Sequence, residues 1–183
     1  MGCGCKKKKT IVDIHLPNNK DHADPEEWGP ILWNALHCIA ERIGTTGSKA
    51  VDTDQARAME YVVFQLATIL PCKECQQHYR EYLVKYKPTT WIGLYGEDLR
   101  ATIRTWLFTL HNSVRQRTNK QIIVSTAEDC QQQYAICEIK QCEIDTLIQN
   151  INFAIMNGWI RREAWKQWFI HFNRTRILVG LPQ

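Results

Sequence analysis

The sequence predicts an all-α fold: a four-helix bundle, a short fifth helix and a further C-terminal helical segment. Apolar residues recur at alternating three- and four-residue spacing in successive stretches, which is the period of one helix face packed on a core. Those stretches are opened and closed by capping residues, glycines and prolines. No alternation of strand and helix patterns appears, and no G-x-G-x-x-G follows a strand, so a dinucleotide-binding βαβ unit is not expected.

Residues 1–23 carry Cys3-Gly4-Cys5, the run Lys6 to Lys9 and a polar patch around Asn18, without periodicity, and are expected to form a flexible N-terminal arm. Asp24, Pro25 and Glu27 give the cap, first-turn proline and acidic third position of a helix start. That helix is expected to run to about Ile43 with Trp28, Leu32, Leu36 and Ile39 on its inner face, and to stop at Gly44. A second is expected from about Thr53 to Ile69, with Ala56, Met59, Val63 and Leu66 as its seam. Pro71 breaks that register, and a third helix starts at Cys72 and ends before Pro88. A fourth, from near Glu97, places Leu99, Ile103, Trp106, Leu110 and Val114 on one face beside His111 and Asn112.

Gln121 to Val124 is a short β-prone piece, after which Ser125 and Glu128 read as a capping box opening the fifth helix, through about Cys137. Residues 24–137 are therefore read as one bundle domain. Residues 138–183 form a C-terminal extension with helices over about 143–156 and 159–173, divided at Asn157-Gly158. The aromatic and basic residues of the last helix, among them Trp165, Trp168, Phe169, Arg162 and Lys166, suit packing on their own domain, with a partner or membrane surface as the alternative.

Composition removes several functions. The formal charge of +4 equals the four lysines of one run, so the rest of the chain is near neutral and lacks the basic surface of a nucleic-acid binder. No window approaches the roughly 18–20 apolar residues of a membrane span, and no apolar run follows the N-terminal lysines, so neither a transmembrane helix nor a secretory signal is expected. Eight cysteines, at 3, 5, 38, 72, 75, 130, 137 and 142, then point to redox chemistry or metal binding rather than to a secreted disulfide framework.

Cys72-x-x-Cys75 carries that choice. A thiol in the first turn of a helix meets unpaired N–H groups and the positive end of the helix dipole, which favour thiolate and make the pair an electron exchanger. The same spacing is half of a zinc site, with His78 and His111 as further ligands, although no second close Cys or His pair accompanies it. A thioredoxin motif would follow a strand, and a helical seam precedes this one.

Trp28-Gly29-x-x-x-Trp33-x-x-Leu36-His37, Pro71-Cys72-x-x-Cys75-x-x-His78, Trp106 and His111-Asn112-x-Val114 with Lys120 occur in that order. In this the chain resembles the Erv/ALR family of FAD-linked sulfhydryl oxidases, over about residues 24–134 and including Tyr134. The short form and the Asn119-Lys120-x-Ile122-Ile123 continuation look more like the enzymes of large DNA viruses than like mitochondrial members.

The resemblance implies an enzyme that binds FAD and forms disulfides in protein substrates. Cys75 would lie against the isoalloxazine ring and Cys72 would face incoming thiols. Electrons would pass to FAD and then to O2, giving H2O2. Trp28, Gly29, Trp33, His37, His78, Trp106, His111, Asn112, Val114, Lys120 and Tyr134 are the implied FAD-binding residues, no metal is implied, and a homodimer built on the first two helices is. The departures are Arg115, Thr118 and Phe108, where the family commonly has Asn, Leu and a structural cysteine; Cys130 therefore lacks the family's usual bond.

The Cys3/Cys5 pair has three readings: a shuttle carrying electrons from substrate to the active pair, a lipid anchor on Gly2 and Cys3 aided by the lysines, or a passive arm. An arm of about 20 residues reaches roughly 60–70 Å, so distance does not limit a shuttle. Cys130 and Cys137 are seven residues apart, about 10 Å along a helix and beyond the roughly 7 Å reach of a disulfide. Cys137 and Cys142 would need a bend between them, and free buried thiols are expected in this region. A zinc-stabilised interaction module and a lipid-anchored scaffold are the alternatives to the oxidase. The expected location is non-secreted, host cytoplasm or virion for a viral protein, rather than the mitochondrial intermembrane space.

Overall fold

The computed structural model describes residues 23–88, 91–122 and 125–181. The Cys3/Cys5 pair, the lysine run and the second half of the β-prone piece lie outside the described residues.

Among the described residues the fold is all-helical, with seven α-helices and one 3₁₀ turn. The helices are α1 (Pro25–Arg42), α2 (Lys49–Gln65), α3 (Lys73–Lys85), α4 (Gly96–Arg117), α5 (Ala127–Tyr134), α6 (Gln141–Met156) and α7 (Arg162–Leu178), with the 3₁₀ turn at Leu66–Thr68. α1 starts where the cap residues place it, but Asp24 accepts from the N–H of Glu26, while the Glu27 carboxylate reaches Asn150 of α6 at 3.5 Å. α2 begins four residues before Thr53, because Thr46 Oγ1 already donates to Asp52 Oδ1 and closes the preceding turn. The capping box of α5 lies one residue later than Ser125/Glu128: Thr126 and Asp129 exchange the two bonds. α7 begins three residues after Trp159, since Gly158, at φ +71°, turns the chain and the N–H of Trp159 still closes the end of α6 on Ala154 O.

α1 is the central element, flanked by α4, α5 and α6, while α2 packs along α7 and against α4. The inner-face residues of the first helix (Trp28, Leu32, Leu36, Ile39, Ile43) and the seam of the second are all buried. Ile144, Leu147, Ile151, Trp165, Trp168 and Phe172 of the extension join the same hydrophobic cluster. Trp168 is fully buried and its indole N–H donates to Val62 O at 2.9 Å, which seats α7 on α2. Gln55 of α2 ties both ends of the fold, accepting from Gly44 N at 2.9 Å and donating to Leu178 O at 2.8 Å. Gly44 is required: its φ is +73°, and a Cβ there would stand 2.2 Å from Gly96 O.

Cys137 is not a free thiol. It is bonded to Cys38 of α1, with Cα atoms 5.6 Å apart. The chain between α5 and α6 bends back along α1, where Arg42 Nη2 donates to Cys137 O at 3.2 Å and Asn34 Nδ2 to Glu138 O at 3.0 Å. Helical spacing could not show this, because the partner lies 99 residues away. Cys142 is disulfide-bonded as well, and among the described residues only Cys130 is free. No helix among the described residues is long and apolar enough to cross a membrane.

Candidate active site

The 3₁₀ turn and Pro71 end the α2 segment and turn the chain so that α3 starts at its own cap. Cys72 is the N-cap of α3, and its Sγ accepts from the backbone N–H of Cys75 at 3.1 Å. The two cysteines form a disulfide, with Cα atoms 5.1 Å apart. Their sulfurs are bonded to each other rather than splayed as ligands, which is the redox arrangement and not the zinc half-site. Cys72 is 5% exposed and Cys75 half-buried.

Four bonds, from Ala23, Gln76 and Tyr79, brace the turn. Ala23 N–H donates to Pro71 O at 3.0 Å. Gln76 Nε2 donates to Leu70 O at 2.9 Å and to Trp159 O at 3.2 Å, tying the dithiol turn to the α6–α7 connection. Tyr79 OH donates to Val63 O at 2.6 Å, fixing α3 against α2.

One turn into α3, His78 Nδ1 pairs with Arg117 at the end of α4, and Glu74 lies 3.7 Å from the same guanidinium. Lys120, just past α4, pairs with Glu26 in the first turn of α1. The starts of α1 and α3 and the end of α4 thus converge in a rim that contains two cations and a histidine. Arg117 was not singled out from sequence; its only signal is a basic residue in a helix's last turn.

Along α1 from that rim, Glu26, Gly29, Trp33 and His37 follow one another at three- and four-residue steps and so share a stripe. Gly29 is buried in the second turn of α1, yet a Cβ built on it meets no atom within 4 Å. The stripe is therefore open at Gly29. Trp33 stacks on His111 of α4, with centroids 4.1 Å apart and planes at 8°, and Tyr134 of α5 stacks on His37 at 4.4 Å and 10°. His37 Nε2 lies 3.3 Å from His111 Nδ1, and Cys130 Sγ lies 3.5 Å from His37 Nδ1. Asn112, Arg115, His111 and Tyr134 line a small cavity with Phe108 and Cys130.

Burial, then the neighbouring His111, pulls His37 down to about 3, and burial, then the Arg115 guanidinium, pulls His111 down to about 4. Both imidazoles are neutral at pH 7. Burial also pushes the Cys130 thiol up to about 11, Glu41 and Asp129 adding to the rise and Arg104 opposing it.

The sequence-derived residues fall into groups. Trp33, His37, His111 and Tyr134 meet in the stacked cluster, with Asn112 on the adjoining cavity wall; His78 and Lys120 stand on the rim. Trp28 is buried at the entry of the fold, its Nε1 donating to Ala23 O at 3.3 Å. Val114 is packed against the core, and its carbonyl accepts from Thr118. Trp106 belongs to a different aromatic group: it packs edge-on against Tyr82 and Trp91 and donates to Tyr86 O at 3.1 Å, beside a separate open cleft between α3 and α4.

Residues 30–135 match the model of the Erv1 / Alr family. Among curated proteins, the chain is 34% identical over 97 residues to the FAD-linked sulfhydryl oxidase of African swine fever virus, covering 52% of this chain and 71% of that one. It is 28% identical over 100 residues to a probable FAD-linked sulfhydryl oxidase of Acanthamoeba polyphaga mimivirus, covering 54% and 64%. The third is a putative FAD-linked sulfhydryl oxidase of Invertebrate iridescent virus 3, 28% identical over 97 residues, covering 53% and 60%. The chain thus spans less than two thirds of the latter two. No solved structure matches.

Proposed function

Because the chain belongs to the Erv1/Alr family, its match spanning residues 30–135, we propose that it is an FAD-dependent sulfhydryl oxidase that forms disulfide bonds in protein substrates. The observation that carries this reading is the Cys72–Cys75 disulfide at the N-terminus of α3, braced on three sides and followed one turn later by a cationic rim. Names of the viral relatives agree with it.

The residues present fit a flavin dinucleotide. Gly29, open where a Cβ would stand, and the ring cluster of Trp33, His37, His111 and Tyr134 suit flat aromatic parts, Asn112 offers a polar anchor on the cavity wall, and Lys120, Arg117 and His78 suit the pyrophosphate. Trp28, Val114 and Trp106 act at one remove in this reading, as packing that fixes the elements. Bound FAD supplies what the thiols lack, accepting their electron pair and passing it to O2, which leaves as H2O2.

The chain's own part is disulfide exchange. A substrate thiolate attacks Cys72 Sγ, the Cys72–Cys75 bond breaks and Cys75 leaves with the electron pair. A second substrate thiolate attacks the substrate sulfur of the mixed disulfide. The oxidised substrate departs and Cys72 is returned as a thiolate, held by the N–H of Cys75 and the helix dipole. Ala23, which follows the N-terminal arm in sequence, is hydrogen-bonded to the residue before Cys72, and on that ground the Cys3/Cys5 pair is read as a shuttle working in cis.

Purified protein is expected to be yellow and to consume oxygen with dithiothreitol. Cys75→Ser should abolish flavin reduction, and Cys72→Ser should stop turnover with FAD retained. Replacing Cys3 and Cys5 together should spare dithiothreitol oxidation and slow a protein substrate. A colourless, zinc-containing preparation, or full oxygen uptake by either single variant, overturns the proposal.

A further inference from the structure

The free thiol of Cys130, in the first half of α5, is 2% exposed and has one hydrogen-bond partner among the described residues, His37 Nδ1. His37 is itself fully enclosed, and its other nitrogen meets His111 Nδ1. Sulfur and the two rings therefore form a line, Cys130 Sγ, His37 Nδ1, His37 Nε2, His111 Nδ1. A neutral imidazole has one N–H and one acceptor nitrogen, so the two links are not independent. Either every proton points from Cys130 toward His111, or every proton points back.

We propose that Cys130 is the positioning residue that sets this direction: its S–H donates to His37 Nδ1, His37 Nε2–H donates to His111 Nδ1, and His111 is left with Nε2–H as a donor on the cavity wall. In the reverse arrangement an imidazole N–H would be spent on sulfur, a weak acceptor, and the enclosed thiol proton would lose the ring nitrogen that is its acceptor. The buried carboxylate of Glu41 is engaged elsewhere, its two oxygens accepting from Arg104 Nε and Nη2 at 2.7 Å each, and no bond joins it to Cys130 among the described residues. The upward shift of the thiol keeps it protonated at neutral pH, and the downward shifts keep both rings neutral, as the line requires.

The consequence is a polarity for the wall. His111 and Arg115 both line the cavity, and with His111 in this tautomer both are donor residues, so the part of a ligand seated there is expected to offer acceptors, such as a ring nitrogen or ribose oxygen. That the ligand is FAD rests on the function proposed above; the direction of the line does not.

The test is a long-range ¹H–¹⁵N spectrum of the histidines in the purified full chain at pH 7.5, which reports the protonated nitrogen of each ring directly. His37 and His111 are expected as Nε2–H tautomers. Cys130→Ala should remove that preference at His37, and Cys130→Ser, which restores a donor, should return it. In FAD titrations, Cys130→Ala should bind about five- to tenfold more weakly, the worth of one neutral hydrogen bond, and Cys130→Ser should recover most of the loss. His37 as the Nδ1–H tautomer in the unsubstituted protein overturns the inference whether or not the variants fold, and so does a His37 tautomer indifferent to Cys130→Ala. A protein with the expected tautomers but no flavin affinity would overturn the oxidase reading alone.

Discussion

At the scale of single residues, the histidines divide by enclosure, and this fixes how the protein responds to acid. His37 and His111 remain neutral in the folded chain down to about 3 and about 4, whereas an unfolded histidine takes up its proton near 6.5. Between those values the unfolded state binds more protons, so the contribution of these two rings to stability falls as pH drops through the window and is constant above about 7. The slope reaches about 1.4 kcal/mol per pH unit for each such histidine. The urea midpoint is expected to fall between pH 7.5 and pH 5.0, and His37→Gln should shrink that fall; an unchanged midpoint in the parent protein would refute the enclosure of these rings as drawn. The sequence marked both residues through their motifs, but not their link to Cys130, because a bond between residues 93 apart has no spacing signature.

At the scale of elements, α5 is positioned by the chain that follows it. Eight residues give little helical stability in isolation, so the Cys38–Cys137 bond and the Arg42 and Asn34 contacts hold the connector, and with it Tyr134, over His37. Closing a span of 99 residues is worth about 3–5 kcal/mol in the chain-entropy account. Cys38→Ser is therefore expected to lower unfolding free energy by that amount in urea titration and to leave dithiol oxidation at 25 °C near the parent rate. Loss of turnover with unchanged stability would instead make the bond part of the electron path. The helix faces were legible, since Trp28, Leu32, Leu36, Ile39 and Ile43 are buried as their period requires, whereas boundaries moved wherever a side chain such as Thr46 or Asp129 closed a turn.

At the scale of the whole molecule, the extension is built into the core. α7 lies along α2 and α6 along α1, the two helices on which the resemblance placed a homodimer. Those faces are partly used within one chain, so a homodimer on the first two helices has only their remaining faces to pair through; light scattering at twice the single-chain mass of 21.4 kDa is the outcome that dimer predicts, and the single-chain mass would rule it out. Trp168→Ala is expected to cost about 3–5 kcal/mol, because it empties a buried site and strands Val62 O; a change under about 1 kcal/mol would mean that α7 is not seated as described. The sequence by itself determined the helical class, the core faces, the redox pair at a helix start and the family, because periodicity, caps and short motifs are local and can be read along the chain. Only the tertiary structure decided that Cys38 bonds Cys137, that Cys130 meets His37, that Arg117 joins His78 and that Trp106 stands apart from them. These depend on how helices distant in sequence cross, and a pattern of burial says that a face is covered without saying by what.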